Sequence, residues 1–408
     1  MPIRRQMENL LFFDNASTTQ CCERAADFVR RFAHEEFGNP SSSHALGQQS
    51  AKAIREARQF FAKTFNTSPD QIIFTGSGSE SDNLAVYGVA MDALAKRHAK
   101  GNTQALPPRV ICSTIEHPAV RKTVQSLQSL GIDVQLAPVD SQGQIVREKF
   151  LELLTPETVL VSIMRVNNIV GALLPVEDLA KLAKEKVPSL IFHTDAVQAF
   201  GRVDVPTSPS AVDLVSLSAH KIEGPKGVGA LIILNKALLK NGLRPLVWGG
   251  DQEGGFRSGT QNAGLIAGFH AAAEMTLKGR PAYEAHVTKL QARFKDGLKK
   301  KNLLGKINWN SPKNAVSHII SLSVPGYPSG PLAKLLEERL CLVSTGSACS
   351  SQKMEPDPVL SGMGLAPNIL TSAIRVSFSL HNSPTDIDTL VEALAESITL
   401  MERLLGGR

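Results

Sequence analysis

Three short stretches hold residue types that do chemistry together. The first is FTGSGSESDN, residues 74–83, which follows an apolar run and opens a helical pattern. Small residues at such a junction let the backbone approach an anion, and the free N–H groups of a helix N-terminus bind it. A phosphate is the natural guest, although the stretch matches neither the Walker pattern nor GxGxxG. The second is HTDAVQAFG, residues 193–201, with Asp195 at the end of an apolar run. Ligands bind at that end in open α/β sheets, and alone Asp195 reads as well as a cap of the next helix. The third is SLSAHKIEGPKGVGAL, residues 216–231, where Lys221 follows His220 before a glycine-rich turn. A desolvated lysine is a nucleophile. A Schiff-base lysine, an acid for a ring nitrogen and a phosphate cradle are what pyridoxal 5'-phosphate requires.

The elements that must position these residues alternate. Strand candidates are QIIF (71–74), RVICS (109–113), TVLVSIM (158–164), SLIFHTDA (189–196), LVSLSA (214–219) and GALIIL (229–234). Helical period separates most of them. Leu84, Tyr87, Gly88, Met91, Leu94 and Ala95, for example, form one stripe. This alternation predicts an α/β fold with a largely parallel sheet covered on both faces. After about residue 280 the pattern changes to a long polar helix, AYEAHVTKLQARFKDGLKKK. SHIISLSV (317–324), LCLVSTG (340–346) and AIRVSFSL (373–380) come next, with helices between them, as expected for a smaller α+β domain. Ser383 and Pro384 read as the N-cap and first residue of a last helix, with Ile387, Leu390, Val391, Leu394, Ile398 and Met401 as its apolar stripe.

Composition narrows the function classes. The 408 residues carry a net charge of +6, mostly scattered, with one denser run, LKKKNLLGK (298–306). No aromatic or arginine-rich motif accompanies it, so a solvated surface is expected and direct nucleic-acid binding is not. No apolar run reaches the length of a membrane span, and the N-terminal apolar run is too short for a signal peptide, so the cytoplasm is the expected location. The five cysteines include no CxxC pair. This predicts free thiols in a reducing compartment, and no metal site. Cys112 and Cys341 read as small core residues, and Cys21 and Cys22 as incidental.

The ordered motifs FFDNASTT (12–19), FGNPSSSH (37–44), TGSGSESDN, EHPAV (116–120), VNNIVG (166–171), HTDAVQ, SAHKIEGPKG, RSGTQN (257–262) and GSACSS (346–351) span nearly the whole chain. They resemble those of the cysteine desulfurases of the class V aminotransferase superfamily, in the long-loop NifS/IscS-like group. The resemblance implies a PLP-dependent transferase of fold type I with a mostly parallel seven-stranded sheet. It implies a large cofactor domain over residues 19–280. Residues 1–18 and 281–408 would form the small domain, with a mobile cysteine loop at about 343–358.

The resemblance also implies roles. Lys221 would be the Schiff-base lysine, and His117 would stack on the cofactor ring and aid proton transfer. Asp195 would pair with the ring nitrogen, and Gln198 with the phenolate oxygen. Gly78, Ser79, Ser218 and His220 would hold the phosphate. Thr260 would reach the neighbouring subunit's phosphate, so a homodimer is implied. Asn168 and Arg375 would grip the carboxylate of L-cysteine. Cys349 would accept sulfur as a persulfide, for transfer to an acceptor protein in iron–sulfur cluster assembly or tRNA thiolation. Selenocysteine lyase and aminotransferase activities on the same scaffold are the alternatives. Three features depart from the family pattern: Ile169 where an acid is usual, Gly78–Ser79 where alanine–threonine is usual, and a chain ending at MERLLGGR, which puts a tail-docked scaffold partner in doubt. Cys349 lies among glycines and serines, 26 residues before Arg375, which predicts a loop of low local stability.

Overall fold

A computed structural model describes residues 10–99, 106–345 and 357–405. Its first strand, β1 (Leu11–Phe12), is short, and a seven-stranded sheet dominates the fold. The strands of that sheet are β2 (Ile72–Thr75), β3 (Arg109–Ser113), β4 (Asp133–Ala137), β5 (Thr158–Ser162), β6 (Ile191–Asp195), β7 (Leu214–Ser218) and β8 (Gly229–Ile233). Their spatial order is β2-β8-β7-β6-β5-β3-β4, and β8 alone runs against the rest. A sheet buried on both faces needs near-continuous apolar strands. Six of the seven are such runs, and these are the six that the sequence pattern marks. The seventh, β4, reads DVQLA, and four of its five residues keep some exposure because it pairs on one side only.

Helices cover both faces. One core gathers Phe61, Phe65, Phe192, Phe200 and Phe269 between the sheet and the helices Ala45–Thr64 and Ala263–Lys300. On the other face the helix Gly78–Ala99 buries Leu84, Gly88 and Leu94, as expected, but also Ala85, Val86, Val89 and Ala90. The sheet covers one side of it and the helix Pro118–Ser126 another. The turn at Leu243–Arg244 presses so close that a Cβ on Gly88 would lie 2.6 Å from a backbone oxygen. Tyr87, Met91 and Ala95 are left half-buried, so the expected stripe is wider and rotated.

A second core holds Phe13, Phe294, Ile320, Ile374, Phe378 and Leu394. It sits under an antiparallel sheet of order β12-β13-β10-β9, made by β9 (Asn308–Trp309), β10 (Ile319–Ser323), β12 (Ser344–Thr345) and β13 (Ala373–Ser377). β11 (Cys341–Leu342) pairs in parallel with β1. The last helix starts as expected. Ser383 Oγ accepts from Asp386 N at 3.2 Å, Asp386 Oδ2 accepts from Ser383 N at 2.8 Å, and the whole predicted stripe is buried.

One helix joins the two cores. The periodic pattern starts it after Pro281, yet it runs unbroken from Ala263 to Lys300, with Asn262 Oδ1 capping Leu265 N. Proline removes one helical hydrogen bond. Here Ile266 and Phe269 bury the helix upstream in the first core, and Val287, Leu290 and Phe294 bury it downstream in the second. Tertiary burial on both sides outweighs the lost bond. Cys112 and Cys341 are fully buried, as expected, and burial pushes their thiols up, Cys341 to about 11. Among the described residues no helix is long and apolar enough to cross a membrane.

Candidate active site

The carboxyl ends of β2, β3, β5, β6 and β7 converge on a cavity of about 260 Å³, lined by Ser17, Ser77, Gly78, Ser79, His117, Asn168, Asp195, Gln198, Ser218, His220 and Lys221 among others. That is near the lower end of small-molecule sites, about 300–1,000 Å³. One end is the turn from β2 into the helix Gly78–Ala99, whose first N–H groups have no partner within the helix. Gly78 is required there. A Cβ would stand 2.8 Å from Val197 Cγ2 and 3.0 Å from Ser218 Cβ, so glycine is what lets the turn close on β6 and β7. The acid inside this anion turn is neutralised. Glu80 accepts from Gly76 N at 2.9 Å and pairs with Arg257 at 2.9 Å.

Lys221 ends a short 3-10 turn after β7, and its Nζ donates to the carbonyl oxygens of Ala16 and Ser17 at 2.6 Å each. Gln198 Nε2 donates to the same Ala16 oxygen at 2.8 Å. His220 Nδ1 meets Thr18 Oγ1 at 3.2 Å, and burial with the Lys221 charge brings its pKa down to about 4. His117 caps the helix Pro118–Ser126. Its Nδ1 accepts from Ala119 N at 3.1 Å, which leaves the ring proton on Nε2. Burial lowers its pKa, and the Asp195 charge pulls it back up.

Asp195 Oδ1 accepts from Val197 N at 2.8 Å. Burial raises its carboxyl, and the charges of His117 and Lys221 pull it back. Two further buried acids stand near, Asp82 and Glu116. Burial and the Asp195 charge hold Asp82 well above the ordinary carboxylate range. Burial, against hydrogen bonds from Ser113 and Met164, pushes Glu116 up to about 8. Three carboxyls in one buried shell do not all ionise. Asp195, which faces two basic side chains, is the one placed to carry charge.

The sequence reading missed Asp82, Glu116 and His193. His193 lies two residues before Asp195 on β6, hence on the same face of the sheet. It is fully buried between Ser162 Oγ and Ser216 Oγ, each at 2.8 Å, and burial brings its pKa down to about 3. The period of two was the available signal. For Asp82 it was helical spacing, since residue 82 lies one turn beyond Gly78.

Arg375, on β13, is 4% exposed. Its Nη1 donates to Asn168 O at 2.8 Å, and its Nη2 to Asp14 Oδ1 at 2.7 Å and Ser17 Oγ at 2.6 Å. Its Nε has no hydrogen-bond partner among the described residues. The arginine therefore sits against Ser17 and Asn168, which line the cavity, with a donor to spare. The turn at Ile169 does not depend on an acid. Asn167 Oδ1 accepts from Ile169 N and Val170 N, while Ile169 packs against the first core.

Two expected residues are not in this cluster. Thr260 is exposed and does not line the cavity. Its loop is held by Arg257 on Glu80 and by Gln261 on the buried carboxylate of Glu253. Cys349, and most of the 343–358 loop with it, lies outside the described residues.

Residues 11–390 match the family Aminotransferase class-V. The cysteine desulfurase IscS of Clostridium botulinum (strain Hall) is 34% identical over 395 residues, covering 96% of this chain and 95% of that one. The cysteine desulfurase IscS of Dictyoglomus turgidum is 35% identical over 393 residues, with 96% and 95% covered. The solved structure of a NifS-like protein superposes with a TM-score of 0.86 at 33% identity, covering 96% of this chain and all of that one.

Proposed function

The chain belongs to the class V aminotransferase family and, within it, to the pyridoxal-phosphate-dependent cysteine desulfurases, and from that premise we propose how its residues divide the work. One observation carries the reading. Lys221, Asp195 and His117 meet around one cavity, with the anion turn at Ser77–Ser79 on its wall and Arg375 against its Ser17 and Asn168. The residues fit the cofactor. Gly78 lets the turn close on Val197 and Ser218, so that its N–H groups line the cavity, and Arg375 is held beside the cavity on Asn168 and Ser17.

When bound, the cofactor supplies an electron sink that stabilises negative charge on the amino-acid carbons. The N–H groups of the turn, with Ser79, Ser218 and His220, would hold its phosphate. Asp195 would keep a proton on the ring nitrogen, Gln198 would serve the phenolate oxygen, and His117 would contact the ring. Arg375, with Asn168, orients the α-carboxylate of L-cysteine. Lys221 Nζ would hold the cofactor and would serve as the base for the Cα proton of the substrate.

The Cys349 thiolate then attacks the substrate sulfur. A sulfur–sulfur bond forms, the Cβ–S bond breaks with its electron pair left on the carbon side, and protonation there completes L-alanine. The sum is L-cysteine plus thiol giving L-alanine plus protein persulfide. That persulfide passes to a sulfur-acceptor protein, for which cluster assembly and tRNA thiolation are the two destinations we propose.

The proposal extends to organisation. Residues 19–280 form the cofactor domain, and 1–18 with 281–408 the small one. The second core supports this, since apart from Phe13 all its members lie at Tyr283 or beyond, while Val316, Ile319, Val359, Leu360, Met363 and Ala373 of the small part pack into the first core. Two chains form a homodimer in which Thr260 serves the neighbour's phosphate, and its exposure outside its own cavity agrees with that role. A cytoplasmic location suits the free thiols of Cys21, Cys22, Cys112 and Cys341. The test is direct. The purified holoprotein should release alanine from L-cysteine and leave a persulfide on Cys349 by mass spectrometry. Alanine formation with the label on another cysteine would overturn the assignment.

A further inference from the structure

Glu80 directly follows the anion turn and does not line the cavity. It shapes the turn in two ways. Its Oε2 accepts from Gly76 N at 2.9 Å, and its own N–H donates to Ser77 Oγ at 3.1 Å. This reciprocal arrangement is close to a capping box. The turn therefore needs an acceptor at residue 80, but it does not need the charge. In an empty helix terminus the N–H groups favour a carboxylate. Here the same groups are to serve a phosphate, and two anions at one terminus repel.

The side chains assigned to the phosphate do little against that repulsion. Ser79 and Ser218 are uncharged, and burial with the Lys221 charge brings His220 down to about 4. The compensating cation comes from outside the cavity. Arg257 Nε donates to Glu80 Oε1 at 2.9 Å. A Cβ placed on Gly76 would lie 2.7 Å from Glu80 Oε2 and 3.6 Å from Arg257 Nη2, so both charged groups pack against the backbone of the turn. The loop that carries Arg257 has anchors of its own. Gly259 N donates to Gln252 Oε1 at 2.8 Å, and Gln261 donates to Glu253. The arginine is thus free to act on the turn rather than to hold the loop together.

We propose that Arg257 is a positioning residue for the cofactor phosphate, acting through Glu80: it cancels the charge of an acid that the turn needs for its shape. The inference rests on the reading that this turn holds the phosphate. It goes beyond that reading by adding a residue that does not line the cavity.

The test compares pyridoxal 5'-phosphate with pyridoxal, which lacks the phosphate, in equilibrium titrations of the cofactor-free chain. Both probes offer the same aldehyde to Lys221, so the ratio of their Kd values isolates the phosphate. Arg257→Met should lower the wild-type preference for the phosphorylated probe about 3- to 30-fold. Adding Glu80→Gln, which keeps an acceptor for Gly76 N and removes the charge, should restore most of it. A loop that had only lost an anchor would not recover when an acid is removed. Ser218→Ala reports on the position of the phosphate and should also lower the preference. If Ser218→Ala lowers it and Arg257→Met does not, or if the double variant fails to recover, the proposal is overturned while the phosphate reading stands. If neither single variant lowers it, the phosphate lies elsewhere and both are overturned.

Discussion

Arg375 Nη2 and Asp14 Oδ1 lie 2.7 Å apart, joining the small antiparallel sheet to the N-terminal strap. The same strap presents the carbonyls of Ala16 and Ser17 to Lys221, and Ser17 Oγ to Arg375. A segment of four residues thus fixes both the arginine proposed for the carboxylate and the amine proposed for Cα. Neither group can shift without disturbing the strap, and the spacing between them is what an amino acid would meet.

Arg375→Lys tests the arginine. Lysine keeps the charge but loses the planar fork and its parallel donors. The KM for L-cysteine should rise about 10- to 100-fold, from the loss of charged hydrogen bonds of roughly 1.5–3 kcal/mol. The cofactor's absorption should stay in place. An unchanged KM in steady-state assays would remove Arg375 from the substrate site.

Cys349→Ser separates cofactor chemistry from sulfur transfer. The variant should bind cofactor and respond spectrally to cysteine, yet alanine formation should fall about a hundredfold or more, because the hydroxyl is a poor nucleophile without an activating base. Single-turnover alanine release at the wild-type rate would contradict the role.

Gly78→Ala tests the fit of the anion turn. The added methyl would meet Val197 at 2.8 Å. Overpacking of this kind costs about 1–3 kcal/mol, which should weaken cofactor affinity about 5- to 100-fold in equilibrium titration. Adding Val197→Ala should recover most of it. Failure of the double variant to recover would mean that strain at Val197 is not the cause.

Glu116 makes stability fall on the alkaline side. Its carboxyl is raised to about 8, so the folded protein holds this proton more tightly than the unfolded chain. That contribution is complete below the unfolded value of about 4.3 and is lost as pH rises through 8, at roughly 1.4 kcal/mol per pH unit. Glu116→Gln has no proton to lose. Its unfolding free energy, measured on cofactor-free protein, should gain on the wild type between pH 5 and 8. A constant difference across that range would refute the assignment.

His193 and His318 act on the acid side. Both are held neutral by burial, with values near 3. Their contribution is complete above the unfolded value of about 6.5 and is lost as pH falls towards 3, at roughly 1.4 kcal/mol per unit for each ring. His193→Asn should make the acid limb shallower by one proton in denaturant titrations. An unchanged slope would mean that His193 already takes up its proton in the folded state.

Much of this was legible without coordinates. Unbroken apolar runs marked six strands because a sheet covered on both faces leaves little room for polar residues. Motif order marked Lys221, Asp195, His117 and the turn at Gly78–Ser79, because local chain chemistry sets what such a turn can bind. Strand β4 escaped because an edge position tolerates Asp133 and Gln135. The helix start at Ala263 escaped because Pro281 is a local signal, and burial in two cores overrides it.

The sequence by itself determined the kind of fold and the set of candidate groups, since both derive from residue type and short-range spacing. Only the tertiary structure decided which groups face one another. It brought Asp14 and Ser17 onto Arg375, placed Ala16 over Lys221, stacked His193 and Asp82 near Asp195, and set Arg202 against Tyr283. These contacts join residues up to 361 positions apart. They arise because closing two cores around one shared helix buries polar groups that must then be satisfied or neutralised, and no local pattern states that constraint.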